Sequence, residues 1–170
     1  MPRLFHVSDV APLTVMRPRP SPPGTPHEGR RWVWAVDEAH LANYLLPRQC
    51  PRVTWAARGA RLPILRSPAS RVVAIEPGWA PRLLGAALSV HRLDPDGFTV
   101  LDAGAGYWVS EREAAVEEVR RVDDCFASVV DAGAELRVAS SLWPYLDAVV
   151  GGGVEFSAIR MRNAVARQPE

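Results

Sequence analysis

No lysine occurs in this chain of 170 residues; all 20 basic residues are arginine. That absence excludes a Walker phosphate loop, a Schiff-base lysine and a lysine general base. Cysteine is nearly as scarce. Cys50 and Cys125 lie far apart in sequence and suggest neither a disulfide framework nor a zinc knuckle, so no metal site is expected. Long apolar runs are missing too. Arg3 and His6 interrupt the only N-terminal one, so neither a signal peptide nor a membrane span is expected, and a cytoplasmic, reduced setting is the default. Neither sign of charge is in excess. The net charge of +1 gives no electrostatic indication of a nucleic-acid or membrane partner.

What is present reads as one ordinary soluble domain, with 48% hydrophobic and 23% charged residues. The stretch from Trp32 to Leu46 organises it. Trp32 to Val36 is aromatic and β-branched, as in a strand buried on both faces. Asp37 stands where a helix N-cap belongs, Leu41, Tyr44 and Leu45 form an apolar stripe, and Pro47 stops the helix. Before it, Arg3 to Ser8 predicts a strand, and residues 12–29 predict a proline-rich loop or arm, with Pro12, Pro18, Pro20, Pro22, Pro23 and Pro26 breaking any regular element. After it, strands are expected over 52–57 and 71–76, with a loop between them. A hairpin is expected from 87–93 and 98–102 through Asp94, Pro95, Asp96 and Gly97. A strand follows over 106–110, and residues 111–122 fit either a charged helix or an edge strand. Asp123 to Ala132 predicts a helix closed by Gly133, Glu135 to Ala139 a strand, and Ser140 or Ser141 caps a helix through Val150. Gly151, Gly152 and Gly153 predict a flexible turn before a strand over 154–159, and a basic tail spans 160–170. Many strands with a few short helices indicate an α+β fold.

Two motifs imitate known chemistry. Asp37-Glu38-Ala39-His40 copies the DEAH signature of helicase ATPases, but without a phosphate-loop lysine Asp37 is better read as a helix cap. Val100 to Gly106, VLDAGAG, resembles motif I of the S-adenosylmethionine-dependent methyltransferases, with Asp102 to Gly106 as the cofactor loop. Trp108 stands where a third glycine is usual, and a glycine-rich turn between two antiparallel strands is the simpler reading.

A wider resemblance joins three segments. Arg3 to Ser8, RLFHVS, resembles the first-strand motif of the histidine-type ADP-ribosyltransferases, the superfamily of the poly(ADP-ribose) polymerases. Their second motif, a strand ending Tyr-Phe-Ala and a helix with Ser-Ala-Asn-Tyr, is similar to Val33-Trp34-Ala35 and Leu41-Ala42-Asn43-Tyr44, with matching spacing. Their third, Glu-Tyr-Ile-Val, corresponds to Gly106-Tyr107-Trp108-Val109. The resemblance implies a split, curved, mostly antiparallel sheet with a cleft between His6 and Tyr44, and NAD as cofactor. It implies that His6 holds the ribose, Ser8 lines the adenosine side, Tyr44 stacks on nicotinamide and Tyr107 joins the cofactor site. Val33 replaces the strand tyrosine, for which Trp34 or Trp32 can substitute. Leu41 replaces the amide-binding serine. Gly106 occupies the position of the catalytic glutamate, so the transition-state charge falls to Glu111 or Glu113. The related RNA 2′-phosphotransferases use Arg and His instead, a part open to Arg3, Arg17 or Arg19. Over its whole length the chain also resembles an uncharacterised bacterial domain family of unknown function.

In the tail, Arg160 and Arg162 share one face if the strand continues, and there they can bind the phosphates of a dinucleotide or remain a solvated edge. The leading expectation is an NAD- or nucleotide-binding protein, either transferring ADP-ribose or a degenerate binder. The alternatives are a methyltransferase acting through the DAGAG loop and a small interaction module.

Overall fold

The structure, a computed structural model, describes residues 1–21 and 26–168. Pro22 and Pro23 of the proline-rich arm and the last two residues of the tail lie outside these. The strands are β1 (Leu4–Ser8), β2 (Val15–Met16), β3 (Arg19–Pro20), β4 (Arg31–Asp37), β5 (Arg52–Ala56), β6 (Arg71–Ile75), β7 (Leu88–Leu93), β8 (Thr99–Asp102), β9 (Tyr107–Ser110), β10 (Ala114–Val122), β11 (Ala134–Val138) and β12 (Phe156–Ile159). The α-helices are α1 (Ala80–Leu83), α2 (Cys125–Asp131) and α3 (Trp143–Gly152). The fold is therefore α+β and mostly antiparallel. Among the described residues no helix is long and apolar enough to cross a membrane. The chain gathers into two compact units, Met1–Leu41 with Leu88–Arg121 and Ala42–Ala87 with Val122 onward.

The first unit is a sheet ordered β2-β10-β7-β1-β4-β9-β8, with β3 beside β4. Leu4, Met16, Val33, Ala35, Leu93, Phe98 and Ala114 form its core. Val33 and Ala35 alternate with Trp32 and Trp34, as the two-residue period of a strand requires. Both tryptophans are only half-buried, so β4 is not fully covered on both faces as its composition suggests. The expected hairpin is corrected. β7 pairs with β1 and lies beside β10, whereas β8 pairs antiparallel with β9. Residues 94–97 do form a turn, but the strands it joins go to different neighbours. The glycine-rich loop is then the turn between β8 and β9, with Asp102 Oδ1 accepting the Ala105 N–H at 3.0 Å. The ambiguous 111–122 segment is strand. Two short pairings survive in the proline-rich arm, β2 with β10 and β3 with β4. Pro20 has no N–H to give and sits in the two-residue β3.

The second unit is a four-stranded sheet ordered β11-β6-β5-β12, in which only β6 and β11 run parallel. Val53, Trp55, Leu65, Val72, Ala74, Leu142 and Val149 make its core. Trp55 is fully buried, stacks on Tyr145 with centroids 5.5 Å apart, and donates Nε1–H to the Leu65 carbonyl at 2.8 Å. The single polar atom of the indole is thereby satisfied, which is what permits its burial. Asp124 caps α2 by accepting the Ala127 N–H, and Gly133 follows at φ 77°, as its sequence predicts. At α3 the N-cap is Leu142 rather than a serine, and Ser141 Oγ accepts the Trp143 N–H instead. Gly151 and Gly152 extend α3, leaving only Gly153 (φ 64°) to turn the chain.

Two further differences bear on the site. The segment after Asp37 is a 3-10 helix, Glu38–Tyr44, not an α-helix. Asp37 Oδ1 caps it by taking the His40 amide at 3.0 Å, and Pro47 prevents lengthening. The strand before the tail stops at Ile159, because Arg160 adopts left-handed backbone geometry (φ 56°) and opens a 3-10 turn, Met161–Asn163.

Candidate functional site

His6 is on the central strand of the first unit, at a fork. β1 pairs with β7 across five positions, Leu4 to Ser8. With β4 it pairs only at Leu4–Asp37 and Phe5–Val36, and beyond Phe5 that ladder stops. At the point of divergence His6 Nδ1–H donates to the Trp34 carbonyl at 2.8 Å. An imidazole thus satisfies a carbonyl that a longer ladder would otherwise have paired, and the bond fixes the ring. Ser8, two residues on, keeps its hydroxyl buried without a hydrogen-bond partner among the described residues. A buried, unpaired hydroxyl carries a desolvation cost that a bound polar group would remove.

Beside the fork stands an aromatic group from three segments. The Trp34 ring meets Tyr107 edge-on at 5.9 Å and Trp32 at 5.6 Å, and His27 lies 5.4 Å from Trp32 and 6.0 Å from Trp34. Two-residue spacing on β4 places both tryptophans on one face, and β9 brings Tyr107 next to them through the Val36–Tyr107 pair. Half-buried rings of this kind present flat apolar surface with polar tips.

Sequence reasoning passed over His91. It sits opposite His6 on β7, fully buried, with ring centroids 6.4 Å apart. Its Nε2 accepts the Leu13 N–H at 3.2 Å and its Nδ1 faces the His6 carbonyl at 3.3 Å, which places the ring proton on Nδ1. The signal was available, since LSVHRL repeats the pattern of one histidine within an apolar strand that singled out RLFHVS.

The DEAH imitation acquires a structural role. His40, only 5% exposed, is held by Asp37 Oδ1 through its Nδ1 at 2.6 Å. Its ring fills the space over Gly106, where an added Cβ would overlap it and lie 2.8 Å from His40 Cβ. Gly106 has φ 69°, and its carbonyl accepts the Asp37 N–H at 3.0 Å. Gly106 is therefore a turn glycine with a histidine packed on it. Glu111, the expected substitute, has a side chain 73% exposed and lies 3.9 Å from Arg30. Glu113 pairs with Arg17 at 2.8 Å.

The remaining expected residues fall in the second unit. Tyr44 is half-buried, with the Arg52 guanidinium 5.8 Å from its ring centroid. Arg52, itself buried, donates to the Pro47 and Cys50 carbonyls at 3.2 and 2.9 Å. Arg160 and Arg162 are not on one strand face. Burial, with the charges of Arg162 and Arg48 as smaller causes, holds the Arg160 guanidinium below its ordinary pKa. Cys50 and Cys125 are both buried and unbridged, and burial pushes their thiols up to about 12 and about 11.

With this geometry in view, the comparison with known families is specific. Residues 5–164 match DUF6886, a family of unknown function. The chain belongs to that family. Its matched region includes all of β1 after Leu4, the fork at His6 and the turn at Arg160. No curated protein and no solved structure matches the chain.

Proposed function

We propose that the chain binds NAD or a related nucleotide at the fork of the first unit, on a fold of the ADP-ribosyltransferase type. The observation that carries this reading is the divergence of β1 and β4 at His6, with the imidazole anchored on the Trp34 carbonyl. A sheet that opens beside a fixed imidazole offers a slot for a flat, hydroxyl-rich ligand. His6 would meet a ribose, Ser8 would contribute its unpaired hydroxyl, and Trp34 with Tyr107 would offer ring faces to a cationic nicotinamide. Because His40 fills the space over Gly106, no acidic group stands at that position to stabilise an oxocarbenium-like transition state. Binding is accordingly the core of the proposal, and ADP-ribose transfer would rest on another acid such as Glu111.

Ligand-detected NMR tests it, offering NAD and S-adenosylmethionine to the wild type and to His6→Ala. The expected result is saturation transfer to NAD that His6→Ala abolishes while its near-UV circular dichroism stays native. Absence of any NAD response from the folded wild type would overturn the reading. A response to S-adenosylmethionine alone would move the ligand class to methyl donors.

A further inference from the structure

Beyond β6 the chain builds a hollow. Pro77 opens a 3-10 turn, Pro77–Trp79, where its missing N–H costs nothing, and the Trp79 N–H donates to the Glu76 carbonyl at 3.1 Å. α1 follows and carries Arg82, whose guanidinium lies over the Trp79 ring, 4.5 Å from its centroid. The tail supplies the rest of the wall. Asn163 Nδ2 donates to the Gln49 carbonyl at 2.7 Å, and Trp143 Nε1–H donates to the Val165 carbonyl at 2.7 Å, so the tail is tied down on both sides of Ala164. Glu76, Trp79, Arg82, Asn163 and Val165, with their neighbours, border a hollow of about 270 Å³ on the second unit.

Glu76 is the unusual member. It is 2% exposed, yet among the described residues the one donor its carboxylate receives is the Val165 N–H, at 2.9 and 3.1 Å from the two oxygens. A carboxylate offers about four lone-pair sites, and an anion this buried is normally matched by a cation. Among the described residues neither Glu76 nor Arg82 has an ion-pair partner. Elsewhere in the same unit such charges are matched, Arg71 with Glu155 and Arg137 with Glu135.

We propose that this hollow binds a free α-amino acid with an apolar side chain, its ammonium on Glu76 and its carboxylate on Arg82. A bare amine would meet the Arg82 charge and a bare acid the Glu76 charge, whereas a zwitterion satisfies both. The ammonium fills acceptor sites that the Val165 amide leaves open. A guanidinium stacked on an indole keeps its N–H edges free for a carboxylate. Pro77, Trp79 and Val165 give the ligand side chain apolar surface. The hollow shares no residue with the fork of the first unit, so the inference does not depend on the nucleotide reading.

The test is calorimetric titration of the full chain with leucine, with isoamylamine, which lacks the carboxylate, and with isocaproate, which lacks the amine. Leucine should bind about tenfold or more tightly than either analogue, the worth of one hydrogen bond to a charged group. Glu76→Gln keeps an oxygen for the Val165 N–H and removes only the charge, and Arg82→Gln alters an exposed side chain. Each should weaken leucine by about tenfold or more, and they should differ in what they spare. Glu76→Gln leaves isocaproate binding at least as strong as in the wild type, and Arg82→Gln does the same for isoamylamine. Near-UV circular dichroism from Trp79 and Trp143 should stay native in both. A Glu76 that served only to hold the tail would leave leucine and its analogues undiscriminated. The proposal is overturned if leucine gives no heat, if either analogue binds as tightly, or if Arg82→Gln binds leucine like the wild type. Should Glu76→Gln fail to fold, the Arg82→Gln comparison decides alone. NAD binding without leucine binding would sink this inference only, and leucine binding without NAD binding would sink only the first-unit reading.

Discussion

Replacing Gly106 by alanine probes the packing of the His40 ring over that position. Two costs arise. At φ 69° any side chain is strained, by about 1–2 kcal/mol. The added methyl would also overlap the His40 ring, forcing it off Asp37 and losing a hydrogen bond to a carboxylate, about 1.5–3 kcal/mol. The Asp37 side chain is 26% exposed and can recover some hydration, so a total of about 3 kcal/mol is expected. For a chain of this size that lowers Tm by about 6–12 °C. Near-UV circular dichroism is the assay, since Tyr107 and Trp108 adjoin the substitution. The decisive comparison is the double-mutant cycle with His40→Ala. With the imidazole gone, Gly106→Ala should cost only its backbone strain, about 1–2 kcal/mol. Equal costs in the two backgrounds would refute the claim that His40 occupies that space.

Other expectations follow from the second unit. With thiols raised to about 12 and about 11, Cys50 and Cys125 should resist iodoacetamide in the native state at neutral pH and react once unfolded. Because both folded values lie above the ordinary thiol pKa, their contribution to stability is complete below that ordinary value and is lost as pH rises toward 12, so Cys50→Ala should flatten the alkaline limb of the Tm profile. Glu135 is held below its ordinary range, chiefly by the hydrogen bond from Arg137 and also by Ser67. Its stabilisation is therefore present above the ordinary glutamate pKa and lost as pH falls through the lowered one. Glu135→Gln should reduce the acid sensitivity of Tm, and an unchanged acid limb would contradict this. Asp124→Ala removes the cap of α2 and should cost about 1 kcal/mol, read by urea unfolding.

Local chemistry was readable in the sequence and pairing was not. The approximate extents of β1, β5 and β6, the Gly133 end of α2, and the glycine turn after β8 follow from alternation, capping and turn residues, whereas α2 starts at Cys125 behind an Asp124 cap rather than at Asp123. The partner of each strand does not, because β7 and β8 flank a good turn yet β7 pairs with β1 and β8 with β9. The 3-10 geometry after Asp37 is not distinguished from an α-helix by an apolar stripe or by a capping residue, since Asp124 makes the same capping contact at the start of an α-helix. At the site, the strand-borne histidine and the aromatic pair on β4 could be found by pattern. The fork itself could not, since it is a place where pairing ends, and His91 and Arg48 reach their neighbours only through tertiary structure.

The interleaving of the two units has a consequence for synthesis. Each unit is made from two stretches of chain separated by part of the other. A ribosome delivers β1 to β4 first and β5 and β6 next. It then supplies β7 to β10, and only afterwards β11, the parallel partner on which β6 depends. Neither unit can close when its first half emerges, so β1 and β6 must wait with apolar edges uncovered. Chain elongation is slow beside collapse, and nascent strands of this kind are where aggregation begins. The order in which the segments leave the exit tunnel thus lets the first unit close once β10 has emerged, while the second must wait for β11 and β12.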